Sequence, residues 1–508
     1  MTTVATAEPK VGIRSRLPTR WALWALCLAT FAVYSLVALQ RHRQFGTAGY
    51  DLGIFDQAVR RYAHFLAPIV PLKGVGFNIF GDHFHPIIAL GAPLYWIWDN
   101  PQTLLLLQAA LVVASVPVVY RFARRRTSHR AALIICFAYA AGWPFQTLIN
   151  FNFHEVAWGV PILALAIDAL DRVDDRQLVI FAALLLLVRE DMGILVVLLG
   201  ILRALRRPWR LRGGVGIGLG LVAAGILAYA VATTVILPHF APNGQFAYWQ
   251  YTETLGPNLG SAVRHVITQP WHTVQLFFIP WTKTHTLVLL LAPLLLLPLR
   301  SRYAILALPL LAQRFFEPPE RSTLWGPGFH YNALPWVILT LAMIDGAARL
   351  GVWARPRVRA TVLAMLAAGA AMVIAFQPDA AILHRLVNGQ LFTSSQHMRA
   401  QQAVLRQIPR NVCVEADDRL AGHLTYRDYV TLPPMQHDTA DLIALDLTQS
   451  DVGNHGPQPA VILAAAHRAG YVTVFHQDSV MLLLSPAFRG QSAECGPIGS
   501  GHPGAAGS

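Results

Sequence analysis

Two acidic residues stand close together in a polar loop that follows the first long apolar segment of the chain. The loop begins with the segment from Gly49 to Gln57, which holds Asp51 and Asp56. A carboxylate beside a cavity can take a proton from a hydroxyl group or bind a cation. Asp51 is therefore the first candidate for a catalytic residue, and Asp56 is the second. The structural alternative is that Asp51 only caps a helix that begins near Ile54.

The same loop ends in two alternating histidines, His83 and His85, which follow Asp82. Alternate side chains of an extended segment point to one side, so both imidazoles can face the same ligand. Three interpretations remain open: a phosphate or substrate contact, a divalent metal site completed by His154 and Glu155, or plain hydrogen-bonding anchors at a membrane surface. The sequence therefore requires no cofactor, although it is compatible with a divalent metal.

Further ionisable residues interrupt apolar runs later in the chain. Arg189, Glu190 and Asp191 divide one such run, where a charge is costly unless it is paired or faces a cavity. They form either an ion pair between two short helices or a phosphate site in which Arg189 binds with two nitrogens. His330 and Tyr331 begin another apolar run, as substrate contacts or as interfacial anchors.

The composition places these residues in a membrane protein. The 508-residue chain is 55% hydrophobic and 13% charged, whereas roughly a quarter of the residues of soluble domains are charged. Its net charge of +13 comes from arginine clusters between apolar runs, where such clusters orient membrane spans. This distribution argues against nucleic-acid binding. It predicts a multi-pass protein of the plasma membrane, with the lipid bilayer as its surroundings.

The arginine clusters predict a topology. Residues 1–20 form a cytoplasmic N-terminus, and residues 21–376 form a multi-span domain with about eleven transmembrane helices. The first outer loop, residues 41–83, carries the catalytic-type acid. We interpret residues 84–98 as a short helix on the outer face, because counting them as a span would place the next arginine cluster outside. The Asp, Glu and His groups then fall mostly on the outer side, which indicates one external cavity.

The composition changes after residue 376. Short β-type runs and one helical run predict a small extracytoplasmic α/β module over residues 377–488. The Gly/Ser/Pro-rich residues 489–508 predict a disordered tail. Cys413 and Cys495 lack metal-ligand spacing, and we expect two unrelated thiols rather than a disulfide.

Several motifs together resemble a family of bacterial polytopic membrane proteins classed as a domain of unknown function. The resemblance runs from about Phe45 to Asp446, and the combination is specific although each motif alone is weak. The motifs are Tyr-Asp-Leu-Gly-Ile-Phe-Asp-Gln-Ala at 50–58, Gly-Asp-His-Phe-His-Pro at 81–86, Phe-His-Glu-Val-Ala at 153–157, Arg-Glu-Asp-Met-Gly at 189–193, Phe-His-Tyr-Asn-Ala at 329–333 and His-Leu-Thr-Tyr-Arg-Asp-Tyr-Val at 423–430.

That family is similar to the C-type (GT-C) glycosyltransferases, multi-span enzymes that take a sugar from a polyprenyl-phosphate donor outside the cytoplasm. The resemblance implies the same fold and a transfer to a glycan, lipid or protein acceptor. The essential acid of the first outer loop falls on Asp51. Many of these enzymes have two adjacent acids, whereas Leu52 follows Asp51 here.

The expected roles follow from this resemblance. Asp51 would accept a proton from the acceptor hydroxyl, and Asp56 would shape the field of the cavity. The remaining candidates form a substrate- or phosphate-binding set: His83, His85, His154, Glu155, Arg189, Glu190, Asp191, His330 and Tyr331. Two other functions stay open, a transporter or flippase for a lipid-linked or anionic solute and a noncatalytic envelope assembly protein.

Overall fold

The computed structural model describes most of the chain. The described residues are 17–206, 213–246, 254–256, 259–376, 382–434, 440–453, 455–488 and 490–501. Three segments with expectations from the sequence lie outside them: residues 1–16 of the cytoplasmic N-terminus, 377–381 at the start of the module, and 502–508 of the tail.

The apolar runs form helices, several of them with side-chain caps. Ser128 and Asp174 each accept a backbone N–H at the start of a helix. In chain order the helices of this part are α1 (Leu17–Arg43), α2 (Ile54–Ala63), α3 (Ala92–Tyr95), α4 (Gln102–Arg124), α5 (His129–Ala140), α6 (Trp143–Asn150), α7 (Val156–Arg172), α8 (Asp175–Leu186), α9 (Met192–Ala204), α10 (Gly214–Val231), α11 (Leu237–Phe240), α12 (Leu259–Thr268), α13 (Pro270–Phe278), α14 (Trp281–Leu291), α15 (Ala307–Phe315), α16 (Ala333–Arg349) and α17 (Pro356–Phe376).

Six helices of the described residues are long and apolar enough to cross a bilayer, or seven if one bent pair counts as a single span. The chain is therefore a multi-pass membrane protein, as predicted. The expected count of about eleven spans is not confirmed. Three of the expected spans are the helices α7, α8 and α9, which have 17, 12 and 13 residues, whereas about 20 residues are needed to cross the hydrocarbon core.

Burial distinguishes the central helix from the lipid-facing ones. Within the apolar stretches that qualify as spans, 89% of residues are buried in the one containing α16 and 11% in the one containing α17. α16 therefore occupies the middle of the protein. The segment 84–98 forms a 3₁₀ turn followed by α3, too short to span, in agreement with its interpretation as a short helix.

The C-terminal part contains a five-stranded mixed sheet. Its helices are α18 (Ile382–Val387), α19 (Gln396–Gln407), α20 (Asp418–Ala421) and α21 (Pro459–Arg468), and its strands are β1 (Cys413–Ala416), β2 (Tyr429–Thr431), β3 (Leu442–Asp446), β4 (Val472–Gln477) and β5 (Val480–Leu484). The strand order is β2-β1-β3-β5-β4, in which β1 runs parallel to β2 and β3, and β5 runs antiparallel to β3 and β4. We call this part, residues 382–501, the C-terminal module.

The module packs directly on the polar loop after α1. Buried residues of the module, such as Leu420 and Val430, belong to the same apolar cluster as those of the membrane helices. The amide of Gln57 in α2 donates to the carbonyl of Val430 in β2 over 2.9 Å. Close approach requires a glycine at Gly49, because a Cβ there would lie 2.7 Å from the Cβ of Ala421.

The expectation of two unpaired thiols is wrong. Cys413 and Cys495 form a disulfide, and residues 490–501 fold back onto the protein. Ser492 N–H donates to the carbonyl of Asn411 over 2.9 Å, and the Arg61 guanidinium donates to the carbonyl of Ile498 over 3.1 Å. Because the tail has no apolar core of its own, the disulfide to β1 and these hydrogen bonds to backbone carbonyls hold residues 490–501 in place.

Breaking this disulfide should destabilise the module. The bond closes a loop with a sequence separation of 82 residues, and Cys495→Ser restores the entropy of that loop to the unfolded chain. We expect the free energy of unfolding of the module to fall by about 2–5 kcal/mol. Pulse proteolysis of the purified full chain in urea measures it, with Cys27→Ala as the control because Cys27 is a free thiol. Equal proteolysis of Cys495→Ser and the wild type would contradict the prediction.

Candidate active site

Asp51 lies in a distorted turn, Gly49–Gly53, immediately before α2. Its φ of 105° and ψ of −80° fall outside the regions that a non-glycine residue adopts without strain. Such a conformation costs on the order of 1–3 kcal/mol and persists only where its surroundings hold it, most often at functional sites. Here Tyr50 N–H donates to Asp418 Oδ1 of the C-terminal module over 2.6 Å. The side chain of Asp51 remains 25% exposed, so a small molecule can reach the carboxylate.

A chain of charged side chains runs from Asp51 into the protein. His154 Nε2 lies 4.0 Å from Asp51 Oδ1, and His154 Nδ1 lies 2.5 Å from Glu155 Oε2. Arg189 Nη1 contacts Glu155 Oε1 at 3.2 Å, and its Nε and Nη2 bind Asp191 at 2.8 and 2.7 Å. The structure therefore brings five of the candidate residues together, and we call them the charged chain.

Two polar residues that the sequence analysis did not single out position this chain. Asn152 Oδ1 accepts the Ala48 N–H over 3.1 Å, and Asn152 Nδ2 lies 3.5 Å from Asp51 Oδ2. The buried Gln108 of α4 donates to the carbonyl of Asn152 over 2.8 Å and accepts the His154 N–H over 3.0 Å. A glutamine inside an apolar helix was the available signal for this role, because a buried amide needs partners.

A second branch of candidate residues adjoins the charged chain. His83 Nδ1 lies 2.8 Å from Glu190 Oε1, and the backbone N–H of Phe84 donates to Glu190 Oε2 over 3.0 Å. Glu190 follows Arg189 in sequence, so the break between α8 and α9 supplies both branches. His330 stacks on the ring of His154 with centroids 3.7 Å apart, and the ring of Tyr331 lies 4.1 Å from that of His330.

The structure places Asp56 in a structural ion pair instead of in this network. Asp56 is fully buried, with its carboxylate 2.5 Å from Arg60 Nη1 and accepting the hydroxyl of Tyr95 over 2.7 Å. Arg60 also donates to the carbonyl of Thr425, which joins α2 to the C-terminal module. A carboxylate so enclosed cannot reach a substrate, so its expected catalytic role is not supported.

His85 is buried against aromatic rings. Its ring centroid lies 5.5 Å from that of Phe55, and its Nδ1 has no hydrogen-bond partner. Burial lowers the pKa of His85 to about 4, so the imidazole is neutral at physiological pH. It can shape the wall of the site but carries no positive charge for a phosphate group.

A cavity opens beside the charged chain. Its volume is about 200 Å³, which is enough for a small polar group and the first atoms of an attached chain. The polar side of the cavity is lined by His83, Arg189, Glu190, Asp191, Tyr229, Gln313, Arg314, Glu317, His330 and Tyr331. Its apolar residues include Phe246, Leu255, Leu310, Phe316, Leu324 and Leu334. A mixed lining of this kind fits a ligand with a charged group and a hydrocarbon part.

Arg314 is the cation in this wall that the sequence analysis missed. Its Nε donates to the carbonyl of Leu310 over 2.8 Å, and Nη1 lies 3.3 Å from Asn332 Oδ1. Nη2 is buried and has no hydrogen-bond partner, and Arg314 forms no salt bridge with a carboxylate of the described residues. Arg189, in contrast, is neutralised by Glu155 and Asp191. An arginine inside the apolar run 303–316 was the signal that could have identified it.

Burial and neighbouring charges tune the carboxyl groups outside the spans. Burial raises the pKa of Asp51 to about 6; the negative Asp418 adds to this rise, and His154 opposes it. Burial also disfavours ionised Glu155, but the positive charges of His154 and Arg189 outweigh it and hold the pKa of Glu155 well below its usual range. The site therefore pairs a carboxyl group that titrates near pH 6 with one that stays ionised.

The residues considered as metal ligands do not converge on one point. Among the described residues, three metal-type ligand atoms lie within 4.8 Å of one another only at Cys413, Asp441 and Cys495. The sulfurs of Cys413 and Cys495 are joined in the disulfide, so this group of residues is not a metal site. His83 and His154 instead each contact a different glutamate.

A family model described as a predicted membrane protein (DUF2079) matches residues 41–482, which include the charged chain, strands β1 to β4 and the first part of β5. None of the curated proteins compared matches the sequence significantly.

Solved structures resemble the fold over nearly the whole chain. The crystal structure of ArnT from Cupriavidus metallidurans bound to undecaprenyl phosphate has a TM-score of 0.52 and 14% identity, covering 93% of this chain and 100% of that chain. The apo state gives 0.50 and 14%, covering 92% and 98%. Archaeal oligosaccharyltransferase AglB from Archaeoglobus fulgidus, in complex with an inhibitory peptide and a dolichol-phosphate, gives 0.39 and 11%, covering 96% and 78%. The ArnT matches confirm the predicted GT-C-like fold.

The raised pKa of Asp51 can be measured by its reactivity with a hydrophobic carbodiimide, which modifies protonated carboxyl groups. As the pH is raised, the modified fraction of Asp51 should fall with a midpoint near pH 6, because the acid is protonated below this pH and ionised above it. Peptide mass spectrometry of the purified chain measures it, with Asp51→Asn as the blank. A midpoint near pH 4, the range of an exposed aspartate, would contradict the prediction.

Proposed function

This chain belongs to the DUF2079 family of predicted membrane proteins, and we propose that it is a membrane glycosyltransferase. It transfers a sugar from a polyprenyl-phosphate donor to an acceptor on the outer side of the membrane. The observation that carries the proposal is the charged chain that links the strained Asp51 to a cavity with one uncompensated cation, Arg314. Tyr331 in the cavity wall lies within the electrostatic reach of both Asp51 and Arg314, so in this proposal proton acceptance and anion departure occur on either side of it.

Asp51 is the general base in this proposal. The acceptor oxygen attacks the anomeric carbon of the sugar, the bond from that carbon to the phosphate oxygen breaks, and the acceptor proton passes to Asp51. A pKa of about 6 keeps the carboxylate mostly ionised at neutral pH and close to the optimum for a base. His154 supports the carboxylate from one side, and Glu155 fixes the His154 ring.

Arg314 receives the leaving polyprenyl phosphate. A guanidinium that faces a developing phosphate anion in a cavity of low polarity is a strong source of stabilisation. Arg189 is already bonded to Asp191 and Glu155, so its role is to hold the acids rather than to bind phosphate directly. The apolar side of the cavity accommodates the first part of the polyprenyl chain.

The orientation of the site belongs to the same proposal. The N-terminus lies in the cytoplasm, and the Asp51 loop and the C-terminal module lie outside it. Two observations support this placement. The module packs on the Asp51 loop, so both share one side of the membrane, and disulfides such as Cys413–Cys495 persist in oxidising compartments.

Loss of the Asp51 charge should abolish transfer. Cells that lack the protein are complemented with the wild type or with Asp51→Asn at matched membrane abundance, and their glycans and glycolipids are profiled. We expect the wild type to restore a missing glycan and Asp51→Asn to leave it at least about 100-fold below that level, the scale of a lost general base. Glu320→Gln, an exposed acid outside the charged chain, should restore it fully. Full restoration by Asp51→Asn would instead favour transport or assembly.

Arg314 should determine binding of the lipid phosphate. Arg314→Gln is expected to weaken binding of undecaprenyl phosphate to the purified chain by about tenfold or more, because a hydrogen bond to a charged group contributes about 1.5–3 kcal/mol, while Arg314→Lys retains part of it. Titration in detergent followed by native mass spectrometry gives the dissociation constants. The control is Arg302→Gln, an exposed arginine outside the cavity. Unchanged binding by Arg314→Gln would exclude this role.

A further inference from the structure

The turn that presents Asp51 is held from two directions. From the membrane domain, Asn152 binds the Ala48 N–H. From the C-terminal module, α20 lies against Gly49–Gly53, with the carboxylate of Asp418 accepting the Tyr50 N–H over 2.6 Å and also bonded to the Gly49 N–H. The two donors are the consecutive N–H groups of Gly49 and Tyr50, immediately before Asp51. They therefore fix the backbone that leads into the strained conformation of Asp51.

Neighbouring contacts make Asp418 a rigid partner. Its own N–H donates to the carbonyl of Val452 over 3.0 Å, and a Cβ at Gly453 would lie 2.8 Å from the Cβ of Asp418. Arg419, the next residue, donates to the carbonyl of Gly46 over 3.0 Å. The module therefore contacts the loop both at the turn and at Gly46 before it, and α20 carries the residues that make these contacts.

The same contact places two carboxylates in one electrostatic environment. Asp51 faces His154, Asn152, Lys73 and Asp418, and burial together with the last of these raises its pKa. Asp418 faces Tyr50 and Gly49 through their amides, and Arg419 and Asp451 through their charges; burial raises its pKa to about 6 as well. Each acid therefore makes ionisation of the other less favourable.

We propose that Asp418 is a positioning residue: its carboxylate holds the strained turn that presents Asp51, so the reacting end of the site is complete only while the C-terminal module is docked. The proposal rests on the proposed function for its chemical consequence. The contact itself does not depend on that function. The contact between Tyr50 and Asp418 joins residues nearly 370 positions apart. Any change that separates α20 from the loop therefore removes the support of Asp51 without altering Asp51 itself.

The first test is amide hydrogen exchange of the purified full chain, which needs no substrate. Asp418→Ala should accelerate exchange in peptides covering 46–53 by about tenfold or more, because it removes hydrogen bonds to a charged acceptor. Asp418→Asn keeps an oxygen acceptor and should give an intermediate rate. Peptides covering β3 and β5 should exchange as in the wild type, which shows that the module stays folded. Asp451→Asn removes a nearby charge but no contact with the turn, and serves as the matched control.

A second variant covers the case in which Asp418→Ala unfolds the module. Gly49→Ala places a methyl group 2.7 Å from the Cβ of Ala421 and should separate α20 from the turn while Asp418 stays intact. The same acceleration over residues 46–53 is expected. Wild-type exchange in both Asp418→Ala and Gly49→Ala would overturn the proposal.

Two further readouts separate positioning from a merely structural role. The carbodiimide midpoint of Asp51 should move to lower pH in Asp418→Asn, because a neighbouring negative charge is lost. In complemented cells Asp418→Ala should fail to restore the glycan, and Asp418→Asn should restore it.

If Asp51→Asn itself restores the glycan while exchange changes as described, the proposed function fails and the positioning contact stands. If exchange changes and Asp418→Ala restores the glycan but Asp51→Asn does not, positioning by Asp418 is overturned.

Discussion

The cost of burying charge is the constraint on which this site depends. An ionised group removed from water needs a partner of opposite charge or several hydrogen bonds. Arg189 satisfies two acids, Glu155 and Asp191, and Glu190 is matched by His83. Once these pairs are formed, Nη2 of Arg314 in the cavity wall has no partner among the described residues, and the carboxylate of Asp51 stays partly exposed at the other end of the charged chain. In the proposed reaction an anionic group completes the guanidinium, and a hydroxyl group completes the carboxylate by donating its proton.

The pairing of these buried charges depends on segments that are distant in sequence and meet only in the folded chain. The loop after α6 supplies His154 and Glu155, the break between α8 and α9 supplies Arg189 and its neighbours, and the C-terminal module supplies Asp418. Short helices such as α8 and α9 serve this purpose better than full spans. Their ends carry charged residues to the depth of the cavity, where protein and not lipid surrounds them. The departure from eleven long spans and the presence of a buried charged site thus have one physical cause.

Much of the site could be predicted from the sequence because charge and hydropathy act locally. Each apolar run predicts a helix, and ionisable residues at helix ends predict a common cavity. The segments that form β1 and β3 are among the short β-type runs after residue 376. What failed depends on which side chains meet. Asp56 and Asp51 look alike in sequence, but only Asp56 has an arginine four residues later on the same helix face. That pair is local in sequence, whereas the pairing of Cys413 with Cys495 and the open position of Arg314 follow from tertiary contacts alone.

The residue after Asp51 is apolar, and the acid nearest to the Asp51 turn comes from a distant part of the chain. Leu52 is fully buried and packs into the core, so it anchors the turn but adds no charge. The second carboxylate near Asp51 comes instead from Asp418, at the far end of the chain. A neighbouring acid within the loop would be fixed by the loop itself. An acid from a separate module is present only when that module is docked. The strained backbone of Asp51 fits this arrangement, because a turn held by an external contact can keep a conformation that its own residues do not favour.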